Sequence, residues 1–239
     1  MERYKRQLLM PEIGMLGQKT LATGNVAIIG AGGLGGTCAI YLTVAGIAEQ
    51  AGSLTLIDCD SVSLSNLNRQ ILYSEQDIGQ PKVKVAAQKL QAYNHNTQIY
   101  PIWQKICPEN IEQLLHYADV IIDAGDNFTL TYLLNDYAAK HQKPFISASV
   151  QGTEGYISVS CYSTAKQSAI PSLRKIFPHP PAFAESTTPI PIIGTTAGML
   201  GLCLAQECIK VLLADPAQLD AKLLAINLWT YRQRIVDFG

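Results

Sequence analysis

The amino-acid sequence predicts an α/β fold, with a mostly parallel sheet first and an antiparallel extension toward the C-terminus. Three observations lead there. Apolar runs of strand length recur at 25–29, 54–57, 98–102, 119–122 and 145–150, with segments of helical composition among them. The first run empties into a glycine-rich turn, GAGGLGG at 30–36, as strand–turn–helix units that hold nucleotides do. Beyond residue 150 the pattern changes to apolar/polar alternation over 155–162, which suits an antiparallel strand rather than another β-α unit.

Composition narrows the function classes. A chain of 239 residues can fill one large α/β domain, and two would be a squeeze. Hydrophobic residues make up 48% and charged residues 15%, which favours a well-buried globule over disorder. A net charge of −1 without any Lys/Arg run removes the electrostatic basis for binding nucleic acid. The start, MERYKRQLLM, lacks the apolar core of a signal peptide, so a cytoplasmic protein is expected. The most apolar long segment, 194–214, carries Gln206, Glu207 and Lys210 and reads as a buried helix, not a membrane span. The six cysteines form no C-x-x-C pair and read as reduced, mostly buried thiols.

The elements follow in order. Residues 1–24 read as a short helix or arm with a Gly-punctuated lead-in, and Arg6 by itself reads as a solvated surface charge. The strand at 25–29 enters the glycine turn, whose Gly30, Gly32, Gly33 and Gly35 let the backbone approach a phosphate before a helix at 37–45. The next strand, 54–57, ends in Asp58 and Asp60; a carboxylate there is placed to hold ribose hydroxyls. SNLNRQ (65–70) and GQPK (79–82) then supply Asn66, Arg69 and Lys82. An amide, a bidentate guanidinium and an ammonium together suit a triphosphate, so ATP is expected rather than a dinucleotide. A helix is expected at 83–93, a strand at 98–102, a short helix at 108–117 and a strand at 119–122. That strand runs into DAGDN at 123–127, where Asp126 can either cap the helix at 128–140 or hold Mg2+. Next to Arg69 and Lys82 the metal role is preferred. After the strands at 145–150 and 155–162, half of the twelve prolines fall between 171 and 191. No regular element tolerates that density, so 163–191 reads as a proline-rich crossover loop that touches substrate. A buried helix at 194–213 and a hairpin at 222–238, turning around 231–234, complete the chain.

With RYKRQ, GAGGLG, IDCDSVSLSNLNRQ, GQPK, DAGDN and the PIIG…GMLGLCLAQECIKVL helix in one chain, the sequence resembles the ThiF/MoeB/HesA adenylyltransferases of the ubiquitin-activating-enzyme-like superfamily. The resemblance implies a Rossmann-like single adenylation domain over 1–239: an arm (1–24), a nucleotide-binding part (25–150), and an antiparallel part (151–239) that includes the crossover loop. It implies that Arg6 reaches the phosphates of the other subunit of a homodimer. The glycine loop would lie under ATP and Asp58 would hold the ribose. Ser65, Asn66, Arg69 and Lys82 would grip phosphates, and Asp126, with Asn127 beside it, would hold Mg2+. The implied partner is a small ubiquitin-like carrier protein ending in Gly-Gly. Its carboxylate would be adenylated and passed to an external sulfur donor. ISASVQGTEG is somewhat closer to the thiazole-pathway (thiamine) members than to the molybdopterin ones.

Two departures from the family pattern shape the expectation. Relatives often bind zinc through two C-x-x-C pairs. Here Ala169-Ile170-Pro171-Ser172 stands in the first place and no cysteine lies near the C-terminus, so no zinc is expected. Relatives often carry a crossover-loop cysteine, whereas Thr187-Thr188 stand here and no cysteine lies between Cys161 and Cys203. A covalent thioester or acyl-disulfide step is therefore not expected. Three other readings remain open at this point: a cysteine-free relative that activates a short peptide or a tRNA-borne carboxylate, a non-catalytic nucleotide scaffold, and an NAD-dependent oxidoreductase. The last leaves Asn66, Arg69 and Lys82 unexplained.

Overall fold

The five expected parallel strands lie side by side in a computed structural model of the chain, which describes residues 2–161, 172–179 and 190–238. They are β1 (Asn25–Ile29), β2 (Ser53–Ile57), β3 (Ile99–Ile102), β4 (Val120–Asp123) and β5 (Phe145–Gln151). Antiparallel β6 (Glu154–Ser160), β7 (Lys222–Asn227) and β8 (Arg232–Asp237) extend the same sheet, whose order is β3-β2-β1-β4-β5-β6-β7-β8. The chain walks outward from β1 to β3 and then returns to β4. The strand order therefore reverses at β1/β4, where open α/β sheets bind ligands at their carboxyl ends. Ile29 registers with Ile57 on one side and Asp123 on the other, so three strand ends finish level.

Helices cover both faces of the central parallel strands, which is why β1, β2 and β4 are almost wholly buried. Val26, Ile28, Leu54, Leu56 and Ile122 join one core cluster beneath α3 (Gly33–Ala45), α4 (Lys82–Tyr93) and α7 (Gly194–Leu212). Ala27, Ile29, Ile57, Ile121 and Phe145 point the other way, to α5 (Ile111–Leu115) and α6 (Phe128–His141). Among the described residues, no helix is long and apolar enough to cross a membrane.

Four boundaries differ from the sequence expectation. The lead-in before β1 contains a ten-residue helix, α2 (Gly14–Thr23), besides the short α1 (Lys5–Leu8). Gly14 and Gly17 lower its intrinsic propensity, and burial of Gln18, Leu21 and Ala22 overrides that. Helix α3 begins at Gly33 rather than 37, because its first turn is made of the glycines that must pass close to β1. The helix expected at 108–117 shortens to α5. The hairpin turns at 228–231, where Tyr231 takes φ 56°, and Arg232–Arg234 belong to β8 rather than to the turn. Within 163–191 only 172–179 and 190–191 are described, and they include a single 3-10 turn at Leu173–Lys175.

Candidate active site

The glycine loop lies flat against the sheet ends for steric reasons. Gly30 has φ +95°, and a Cβ there would sit 2.7 Å from the carbonyl oxygen of Ala124. A Cβ on Gly35 would come within 1.8 Å of the carbonyl oxygen of Gly30. Helix α3 is capped by Gly32, and among the described residues no side chain accepts from its first-turn N–H groups. Those free donors at the positive end of a thirteen-residue helix fit an anion.

Asp58 ties this loop to β2. Its Oδ2 accepts the Ala31 N–H at 2.7 Å and its Oδ1 accepts the Asp60 N–H at 2.8 Å. Each carboxylate oxygen has a second lone pair, so Asp58 can still accept from ribose hydroxyls. Lys82 opens α4 with a side chain only 6% exposed, and its Nζ lies 2.8 Å from Oδ2 of Asp60. The Lys82 N–H also donates to the Asp60 carbonyl. Asp60 therefore orients the ammonium and partly neutralises it, a role the sequence reading did not give that residue. The D-x-D spacing at a strand end was the available signal.

Arg69 is held on its own turn. Its Nη1 donates to the carbonyl of Ser65 at 3.0 Å and to Oδ1 of Asn68 at 2.8 Å. That turn presses on the loop: the Arg69 carbonyl lies 3.1 Å from where a Gly33 Cβ would be. Asn66 Oδ1 accepts the Ser63 N–H and closes the 3-10 turn at Leu64–Asn66, which leaves its amide NH2 available. Ser65 Oγ pairs with Ser63 Oγ. Two residues here escaped the sequence reading. Tyr73 donates its hydroxyl to the Ala31 carbonyl at 2.7 Å. Gln70 is buried beside Gly32, with an Oε1 that has no partner among the described residues. No sequence signal marks either one.

At the β4 end, Asp123 is buried and accepts from the Gly125 N–H and the Thr131 hydroxyl. Burial, opposed by those bonds and reinforced by the Asp126 charge, pushes its carboxyl up to about 6. The cap of α6 is Asn127, whose side chain accepts the Leu130 N–H; Asp126 is not the cap. Asp126 stays exposed and makes no hydrogen bond among the described residues, which fits a carboxylate that faces a hard cation.

Arg6 is the predicted residue that the chain does not bring to this site. The next residue, Gln7, donates to the Ala45 carbonyl at the far end of α3. From there to Gly33 the helix runs about 18 Å, further than an arginine side chain extends. Asp58, Cys59 and Asp60 place three potential ligand atoms within 4.8 Å of one another, but two N–H groups and the Lys82 ammonium already face those carboxylates. A shallow concavity of about 300 Å³ on the outer face of β6–β8 lies across β5 from these groups, and the side chains define the site better than the cavity does. Residues 169–171 and Thr187-Thr188 fall outside the described residues. Ser172, at the edge of the expected zinc position, accepts the Arg174 N–H.

A family model described as the ThiF family matches residues 4–238. This chain belongs to the ThiF family. It is 35% identical over 228 residues to the sulfur carrier protein adenylyltransferase of Thermus thermophilus, covering 94% of this chain and 82% of that protein. It is 40% identical over 212 residues to the adenylyltransferase and sulfurtransferase MOCS3 of Sus scrofa, covering 87% of this chain and 44% of that one. The solved structure of E. coli MccB with ATP superposes with a TM-score of 0.84 at 24% identity, covering all of this chain and 72% of MccB, and it establishes the shared fold. Membership of the ThiF family makes the chain an adenylyltransferase of the acyl-adenylate-forming kind.

Proposed function

We propose that the chain is a single adenylation domain that uses ATP and Mg2+ to activate the C-terminal glycine carboxylate of a ubiquitin-like sulfur-carrier protein. The observation that carries this reading is the convergence of the uncapped α3 N-terminus, Asp58, Arg69 and Lys82 on one end of the sheet. A carboxylate oxygen of the carrier attacks the α-phosphorus of ATP, the bond to the β-phosphate oxygen breaks, and pyrophosphate leaves. No protein nucleophile is required. The task is to hold two anions in line and stabilise the charge on the departing group.

In this reading Asp58 holds the ribose, the N–H groups of the glycine loop hold phosphate oxygens, and Asn66 donates its free amide. Arg69 and Lys82 neutralise the leaving pyrophosphate, each contact contributing roughly 2–4 kcal/mol at the transition state. Asp126, with Asn127 beside it, would hold Mg2+, which when bound spreads the charge of the pyrophosphate. Arg6 serves a neighbouring copy in a homodimer, because its own site lies beyond reach. With no cysteine between Cys161 and Cys203, the adenylate passes to an external sulfur donor rather than to a loop thiol. The setting is cytoplasmic, and the lean toward a thiamine-type carrier rests on ISASVQGTEG.

The test is ATP–pyrophosphate exchange with Mg2+ across a panel of Gly-Gly-ended carriers and short peptides. Exchange that depends on a carrier and disappears in Asp126→Ala is the expected result. Exchange with a peptide alone would replace the carrier. No exchange despite ATP binding would sink the enzymatic reading for these substrates. Mixing Arg6→Ala and Asp126→Ala chains should restore activity in heterodimers, and failure to do so would count against the shared site.

A further inference from the structure

We infer that Tyr73 is a positioning residue of the nucleotide site, one that holds the Arg69-bearing turn in register with the glycine loop through the Ala31 carbonyl. The inference rests on the nucleotide site proposed above. Tyr73 is 7% exposed, and its N–H donates to the Gln70 carbonyl at 3.1 Å, which closes the turn directly after the Asn66–Gln70 turn that bears Arg69. Its hydroxyl leaves that turn and donates to the Ala31 carbonyl at 2.7 Å.

Ala31 is thus gripped from two sides, its N–H by Asp58 and its C=O by Tyr73. The geometry has a directional consequence. A trans peptide is planar, so fixing the Ala31 carbonyl also fixes the Gly32 N–H, which points the opposite way. The Gly32 N–H meets no acceptor among the described residues, so the tyrosine aims a free donor. Without the phenol, the 31–32 peptide can rotate, as glycine on its C-terminal side permits. The loop donors and the Arg69 guanidinium would then lose their fixed separation. Burial, with the Asp58 and Asp77 charges nearby, pushes the phenol well above the usual tyrosine range, so it remains a donor at any working pH.

The experiment compares wild type with Tyr73→Phe, which deletes one oxygen and keeps the ring that fills the core. Calorimetric binding of ATP·Mg2+ is read alongside exchange kinetics. The expected result is an ATP dissociation constant raised about tenfold, the loss of one well-placed hydrogen bond, with the KM of the acyl partner unchanged. Adding Arg69→Ala to Tyr73→Phe should weaken ATP binding by less than the product of the two single effects, because the tyrosine acts on where Arg69 sits. An ATP affinity within twofold of wild type, with only the melting temperature lowered, would reduce Tyr73 to a core residue and overturn the inference. Fully multiplicative losses would overturn its action through Arg69. Because the binding readout needs no carrier, absence of exchange in wild type would sink the proposed reaction while the Tyr73 result still stands or falls by itself.

Discussion

The two halves of the sheet are built under different rules. At the carboxyl ends of β1, β2 and β4 the backbone is tightly constrained: Gly35 has no room for a Cβ, Lys82 is buried against Asp60, and Ala31 is held at both its N–H and its C=O. At the antiparallel end, β8 has no buried residue and its turn exposes Trp229 at 76% and Tyr231 at 84%. The first region leaves almost no room for substitution. The second exposes side chains that make no part of the core, so substitution there should be tolerated without unfolding the protein.

One substitution placed in each region tests this most strongly. Gly35→Ala sets a Cβ 1.8 Å from a backbone oxygen, and backbone must move. Overpacking of this kind costs about 1–3 kcal/mol or more, and the shift falls on the loop donors, so ATP binding should be abolished. Gly152→Ala, in the turn between β5 and β6, meets nothing within 4 Å and suffers only its φ of +59°. That should cost about 1–2 kcal/mol of stability and leave ATP affinity unchanged. Calorimetry and thermal melts read both. Equal effects on ATP binding would erase the distinction between the regions.

What could be read from the sequence divides along the same line. The glycine turn, Asp58, Arg69 and Lys82 are legible because a nucleotide reading asks for those residue types at short spacings, and the fold gathers them at one end of the sheet. Tyr73 and Gln70 are not, since their contacts arise only when a turn far downstream folds back over the loop, with Tyr73 reaching Ala31 across 42 positions. Asp60 was visible as an acid, and only the fold shows that Lys82 is its partner. Helix α2 was missed because its glycines argue against the buried face that holds it together. In the antiparallel half β6 is legible from alternation, and β7 and β8 from two apolar runs that flank a polar turn. The turn was placed three residues late because Arg232 and Arg234 lie on an open edge strand and look like turn residues. That edge offers no constraint from which a partner could be named.

A pH measurement sharpens the picture of the rigid region. Asp123 has a carboxyl raised to about 6 in the folded chain, against 3.8 when exposed. The folded state therefore holds this proton more tightly than the unfolded state does. Its contribution favours folding fully below pH 3.8 and is lost as pH rises through 6. The swing from one buried group is at most about 3 kcal/mol. Relative to Asp123→Asn, which cannot ionise, wild type should gain stability as pH falls from 7 to 4. Parallel curves from denaturant melts would show that the carboxyl is less strained than its burial indicates.

The smallest expected effect lies on the seam between the regions. Arg174, in the 3-10 turn of the crossover segment, makes two 2.6 Å bonds to Asp136 on α6 and covers the Tyr132 ring at 4.5 Å. Its side chain is 43% exposed and that of Asp136 is 50% exposed, so solvent screens most of the attraction. The buried Asn135, which accepts the Leu173 N–H, and Tyr132, which donates to the Phe177 carbonyl, hold the same turn without it. Arg174→Ala should therefore cost only about 0.5–1 kcal/mol in a thermal melt. ATP affinity should stay within twofold of wild type, because α6 is fixed at its other end by Asn127 and by the Asp123–Thr131 bond. A larger loss of ATP binding would mean that α6 transmits the crossover's position to Asp126. The two regions would then be one coupled site.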